Sequence, residues 1–358
     1  MWLLLVLGCW ESIRAPHCAM GETVRVSTAD GASIALHHHP AKGPPVILVH
    51  GISSNHHFWD LDPQHSLADW LVARDHDVWL LDLRGHGDAE VDEAGERQIN
   101  GWKVDDYGKY DLPAALEYVK QATGYETVGY VGHSMGGMVG AIYAANGGDA
   151  VSSYVFVGSP GAFTRDTPLY GLAHSAMWAG GASTLRFATP MFADAAAGLD
   201  RSKVHIKLQE RLYNPKNFEP ATVERMLGTI VSPLSRGEMR QFARMMDDAR
   251  FESWDRAVDY LAAMKQVKTP TYVIVGMGDQ VAPPPWVEAY GTAMGGPVEV
   301  FHAGTASGLG ADYGHLDLGL GERAPEEIFP HIAAWLDRYP ARRHVPGQSE
   351  PRGPIAGD

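Results

Sequence analysis

The chain has 358 residues, 45% of them hydrophobic and 20% charged, the make-up of a globular protein and long enough for one large domain with an insertion or for two domains. Asp and Glu outnumber Lys and Arg by 43 to 29, a net charge of −14, which argues against non-specific nucleic-acid binding because that needs cations facing phosphates. Both cysteines, Cys9 and Cys18, lie near the start of the chain, so the core relies on no disulfide and offers no thiolate metal site.

The opening stretch, "MWLLLVLGCWESIRAPHCAM", has an apolar run too short to cross a bilayer. It also lacks the basic start and small-residue cleavage site of a signal peptide. Residues 1–19 therefore read as an extension outside the core, with Met20 a candidate start. The chain has no N-x-[ST] sequon. The expectation is a cytoplasmic protein without a stable membrane span; the short apolar run leaves secretion or a lipid anchor open.

From residue 23 onward strand and helix signals alternate. "TVRVST" and "SIALHHH", joined by the turn-prone "ADGA", predict an antiparallel hairpin. "PPVILVHG" is a continuous apolar run closed by glycine, the pattern of a strand buried on both faces. "SLADWLVARD" predicts a helix, and "HDVWLLDLRGHG" a second buried strand running into a loop, with Asp82 and Arg84 in structural roles. "YDLPAALEYVKQATG" sets Leu112, Ala115, Leu116 and Val119 at helical spacing, with Gly124 as the stop. "ETVGYV", "MGGMVGAIYAA" and "SSYVFVGSPG" then read as strand, helix and strand.

Residues 161–265 break the pattern, with helical segments and no convincing strand run. They hold Met177, Met191, Met226, Met239, Met245, Met246 and Met264, with Trp178, Phe187, Phe192 and Phe242 among them. Such residues suit an adaptable lid over an acyl chain, or simply the core of a helical subdomain. The alternation resumes with "TPTYVIVG", "PPWVEAYGTAM", "PVEVFHAG" and "PEEIFPHIAAWLDRY". The expected architecture is α/β: a doubly wound, mostly parallel sheet over 20–160 and 266–340, with an inserted helical cap at 161–265. The Pro-, Gly- and charge-rich stretch 341–358 predicts a disordered tail.

Within that frame one motif carries chemistry. "GHSMGG" puts Ser134 between a strand and a helix, the setting of a nucleophile elbow. Gly132 and Gly136 remove bulk beside the strained turn, and Gly137 lets the helix pack closely. The Met135 amide, at the helix N-terminus, would face a developing oxyanion. A serine needs a base, and the fold predicts the order serine, acid, histidine. Asp279 in "MGDQVAPP" follows a strand's carboxyl end, where sites of such sheets collect. His315 in the glycine-rich "ADYGHLDLGLG" lies between the last strand and last helix and is the candidate base; His302 ends a strand, and His331 sits within a helix as a packing residue. The second oxyanion donor is expected from the loop after "VILVHG", where Ile52 follows His50 and Gly51.

No metal or cofactor is expected. Successive residues of a strand point to opposite faces, so His37, His38 and His39 cannot converge on one ion.

These segments resemble the α/β-hydrolase superfamily from about residue 22 to 340. "HDVWLLDLRGHG", "KYDLPAALEYV", "GHSMGG" and "HLD" are similar to segments of the acid lipases, the gastric and lysosomal lipase family, and of bacterial serine esterases. The resemblance implies a metal-free hydrolase of carboxylic esters beneath a mobile cap, with Ser134, Asp279 and His315 as triad and Ile52 and Met135 at the oxyanion positions. Where those lipases carry R-G-N, this chain reads "RGHG", and its cap shows no match. The expected substrate is a small ester with an apolar acyl or alcohol group. Thioester, lactone or amide hydrolysis, carbon–carbon cleavage and perhydrolysis stay open as chemistry of the same fold. A non-catalytic ligand-binding role is the remaining alternative.

Overall fold

A computed structural model describes residues 22–91, 101–165, 174, 175, 177, 179 and 211–343. The N-terminal extension and most of the tail lie outside the described residues, as do Met191, Trp178, Phe187 and Phe192 of the proposed cap.

Eight strands form one sheet in the order β1-β2-β4-β3-β5-β6-β7-β8. The hairpin β1 (Thr23–Ser27) and β2 (Ser33–His39) is antiparallel, and β2 pairs antiparallel with β4 (Asp77–Asp82). The remaining pairs are parallel: β3 (Pro45–Val49) with β4 and β5 (Val128–His133), then β6 (Val151–Val157), β7 (Thr271–Gly276) and β8 (Val298–Ala303). Every residue of β3, β4, β5 and β7 is buried, so both sheet faces are covered, as a parallel sheet requires.

The two faces follow the strand period of two. Ile47, Val49, Trp79 and Leu81 pack into one core, and Val46, Leu48, Val78 and Leu80 into the other. Helices α2 (Leu112–Thr123) and α3 (Met135–Ala145) cover the first face, and α1 (Leu67–Val72) covers the second. Gly124 ends α2 at φ +74, where glycine avoids the left-handed penalty.

Between β6 and β7 the described residues form helices and no strand. They include α4 (Pro220–Thr229) and α5 (Arg236–Asp248), the latter opened by a Ser235–Glu238 capping box. Met226, Met239, Met245, Met246, Met264 and Phe242 are buried in the core, while Met177 is half-buried against it. In the second half, α6 (Pro284–Ala293) precedes β8.

The expected last helix is interrupted. A short turn of helix, Ala324–Glu327, precedes α7 (Phe329–Arg338), with the break at Ile328 just before Pro330, which has no amide to continue the first segment. The ordered chain continues into the stretch expected as tail. The Arg342 amide donates to Thr127 Oγ1 at 2.8 Å, Glu126 donates to the Arg342 carbonyl, and Arg343 bridges Tyr125.

The three histidines of β2 engage separate carboxylates. His37 Nε2 lies 3.0 Å from Asp82 Oδ2, and His38 Nε2 lies 2.7 Å from Asp77 Oδ1. His39 is fully buried between Asp60 at 3.4 Å and Asp69 at 3.6 Å. Burial alone would lower its pKa, but the two carboxylates override that and raise it to about 9. An imidazolium thus joins β2 to α1 and the loop before it.

Because the folded pKa exceeds the unfolded value, this contribution is complete below about pH 6.5 and is lost as pH rises through about 9. Its size at full protonation is on the order of 3 kcal/mol. Urea unfolding of the wild type should therefore show stability falling between pH 7 and 10, and His39→Gln should remove that part of the slope. Equal slopes in the two proteins would contradict the assignment.

Candidate functional site

The strand order reverses at β3, which has β4 on one side and β5 on the other. Clefts in open α/β sheets form at such switch points, beyond the carboxyl ends of the strands. Residues leaving β3, β5, β7 and the β8–α7 connection supply the site.

Ser134 joins β5 directly to α3 with φ +53 and ψ −119, a conformation costing a non-glycine residue about 1–3 kcal/mol. The turn is held because its neighbours leave no room to relax. The Ser134 amide donates to the Val157 carbonyl of β6 at 2.9 Å. A Cβ on Gly132 would lie 2.5 Å from the Gly136 carbonyl carbon, and one on Gly136 would lie 2.5 Å from the Val49 carbonyl oxygen. One on Gly137 would strike Ser159. Strand, turn and helix are therefore in backbone contact.

His315 Nδ1 lies 2.7 Å from Asp279 Oδ2. Asp279 Oδ1 accepts from the amides of Val281 and Ala282, each at 2.8 Å, so the carboxylate is oriented by its own turn. A carboxylate only accepts, so His315 donates to Asp279 through Nδ1–H. Both residues are buried, as is Ser134, which retains 6% exposure. Among the described residues the Ser134 hydroxyl makes no hydrogen bond, so the structure joins His315 to Asp279 but not to the serine. Catalytic bonds of this kind commonly tighten only when substrate is present.

Ser134 and His315 are nonetheless linked through the neighbouring residue. His133 Nε2 donates to the His315 carbonyl at 3.0 Å, its ring lies 4.6 Å from the His315 ring, and it stacks on Phe58 at 4.0 Å. Burial, with the nearby His315, lowers the His133 pKa well below the ordinary value and keeps the ring neutral. At the end of β6, Gly158 has φ +55, and a Cβ there would lie 3.5 Å from both Asp279 Oδ2 and His315 Nδ1.

Gly51, just past the end of β3, lies against the serine. A Cβ on Gly51 would lie 3.1 Å from the Ser134 Cβ and 2.9 Å from His133 Nδ1. The neutral His50 ring, its pKa lowered by burial, accepts from the Leu83 amide at Nε2 and donates from Nδ1 to the Gly51 carbonyl. Ser53, at φ +54, exchanges backbone and hydroxyl hydrogen bonds with Ser232 in the segment between β6 and β7. The amides of half-buried Ile52 and buried Met135 donate to nothing among the described residues, and Met135 is the first residue of α3.

Two further residues shape the site. Asp317, fully buried, accepts from the Gly314 amide at 2.8 Å and from Asn217 Nδ2 at 2.6 Å. It ties the His315 loop to residues 214–217, and burial pushes its pKa up to about 6. Arg84 donates through Nε to Asp111 Oδ1 at 2.7 Å and pairs with Asp30 at 2.6 Å, which fixes the loop after β4. The part played by His133 was missed, although it occupies the variable position of the elbow motif.

Comparison with known proteins bears on the fold. The family model of the alpha/beta hydrolase fold matches residues 44–291. The chain is 32% identical over 179 residues to the gastric triacylglycerol lipase of Rattus norvegicus, covering 40% of this chain and 45% of that one. It is 31% identical over 134 residues to the lysosomal acid lipase/cholesteryl ester hydrolase of Homo sapiens, covering 34% of each. It spans less than half the length of these curated relatives. Among solved structures, an esterase from Exiguobacterium antarcticum aligns with a TM-score of 0.60 at 18% identity, over 88% of this chain and 100% of that one. The enol-lactonase from Burkholderia xenovorans LB400 aligns at 0.55 and 16%, over 88% and 100%. At such identities these structures bear on the fold alone. With the sheet order, the elbow and a family match over most of its length, the chain belongs to the alpha/beta hydrolase fold family.

Proposed function

We propose that the protein is a serine hydrolase of carboxylic esters, working through an acyl-enzyme with Ser134 as nucleophile, His315 as base and Asp279 as its orienting acid. The observation that carries this is the 2.7 Å His315–Asp279 hydrogen bond beside a serine held at φ +53. The similarity to lipases and esterases supports the choice of ester.

His315 Nε2 takes the Ser134 proton as Oγ attacks the ester carbonyl, and Asp279 stabilises the imidazolium that forms. The amides of Ile52 and Met135 receive the oxyanion. The imidazolium then protonates the leaving alcohol. A water, deprotonated by the same imidazole, attacks the acyl-enzyme and releases the acid and free serine. Residues 161–265 act as the cap over the acyl group, joined to the Ile52 loop through Ser232. The substrate is a small ester with an apolar acyl or alcohol portion.

A fluorophosphonate probe should label the wild type and not Ser134→Ala. That variant should lose about 10⁴-fold or more of the turnover of p-nitrophenyl esters. No labelling, or no Ser134-dependent turnover of any ester, would remove the enzyme reading. Turnover confined to thioesters or lactones would keep the triad and replace the substrate.

Asp279→Asn gives a sharper check. Its amide oxygen keeps the Val281 and Ala282 bonds, which turns the NH₂ group toward His315. The imidazole is forced to accept at Nδ1 and carry its proton on Nε2, so it can no longer take one from serine. A fall in kcat of about 10⁴ with an unchanged Tm is expected; near-wild-type kcat would place the acid elsewhere.

A further inference from the structure

We propose that His37, His56, Asp82 and Asp88 form a zinc site that staples β2 to the loops leaving β3 and β4. The core of the site is the buried trio His37, His56 and Asp82, which offers one ligand atom each within 4.8 Å of one another. Asp82 Oδ2 lies 3.0 Å from His37 Nε2 and 2.8 Å from His56 Nδ1. Asp88 Oδ2 is the fourth donor, 3.9 Å from His37 Nε2. In a tetrahedral zinc site with bonds of about 2.0–2.2 Å the ligand atoms stand roughly 3.3 Å apart, so Asp82 Oδ2 is near its place relative to both imidazole nitrogens, and the exposed Asp88 side chain has to swing inward to complete the set.

The surroundings match those of a metal site. Ligating histidines usually have the other ring nitrogen fixed by a partner. Here His37 Nδ1 meets Thr23 Oγ1 at 3.1 Å. Asp82 is oriented by the His56 amide, which donates to Oδ1 at 2.7 Å. The two imidazole rings stack at 3.7 Å, which holds their nitrogens toward the same carboxylate. Gly87, at φ +47, folds the chain over that carboxylate; a Cβ there would lie 2.3 Å from Asp82 Oδ2. Asp88 is 55% exposed while the other three are buried, which leaves a path for the ion.

The donor set selects the metal. Two imidazoles and two carboxylates balance a doubly charged ion and suit zinc, whereas calcium and magnesium prefer oxygen ligands alone. On binding, His37 takes the Nδ1–H tautomer and donates to Thr23, His56 takes the Nε2–H tautomer, and any proton making either ring cationic is released. The ion would cross-link three segments, one of them the loop from Ile52 to Phe58, and so raise the stability of the folded chain.

The test uses the full-length protein freed of metal with a chelator, then given ZnCl₂ or CoCl₂. One metal retained per chain after gel filtration, the visible absorption of tetrahedral cobalt, and a higher Tm are expected. Asp88→Asn, at the exposed rim, and Thr23→Val, behind His37, should each weaken zinc binding by about 10–100-fold. His56→Gln should abolish the cobalt spectrum. Failure of the wild type to retain metal would overturn the site. So would equal affinity in wild type, Asp88→Asn and Thr23→Val, since the ion would then sit elsewhere. The two mild variants decide the matter even if His56→Gln fails to fold.

Discussion

Everything in this site depends on the backbone contact between β3, β5 and α3. Ser134 occupies a conformation that an isolated chain would leave. It persists because Gly136 packs so close to the Val49 and His50 carbonyls, and Gly132 to the Gly136 carbonyl, that no side-chain carbon fits at either position. The strain is local, and its compensation is distributed through the burial of all but the last residue of α3 and of the whole of β5. A serine hydroxyl is thereby lifted off the sheet next to an amide with no helical partner of its own.

The loops around that turn are held by polar contacts as well as by apolar packing. Neutral His50 joins the ends of β3 and β4, His133 joins β5 to the His315 carbonyl, and Asp317 joins the His315 loop to Asn217. In each case a buried group has one geometry that satisfies it, and leaving it unsatisfied costs about 1–3 kcal/mol. Side chains that never touch substrate can thus hold a proposed triad in register. Ser232 extends the same bonding from the segment between β6 and β7 to the loop bearing Ile52.

Much of the fold was legible because strand and helix periods are local. The hairpin, the buried strands and the stop at Gly124 follow from runs and punctuation within a few residues of one another. The elbow glycines were readable for the same reason, since the sterics at Gly132 and Gly136 involve their immediate neighbours. Less legible were features that depend on distant chain. The bridge of Arg343 to Tyr125 orders residues whose composition suggests a tail. The role of His133 needs a carbonyl 182 residues away in sequence. The burial of Met226, Met239 and Met264 was compatible with a lid or a core until their packing was known.

By itself, then, the sequence determined the alternating α/β architecture, the strand–turn–helix around Ser134, and the order in which Asp279 and His315 follow it. These are patterns of period, spacing and local sterics, carried by each segment in isolation. Only the tertiary structure decided which histidine faces which carboxylate. Seventeen histidines meet 43 acidic residues in this chain, and hydrogen bonds between them are short-ranged and directional. The pairing of His315 with Asp279, of His39 with Asp60 and Asp69, and of His37 and His56 with Asp82 depends on which strand ends the sheet brings within about 3 Å.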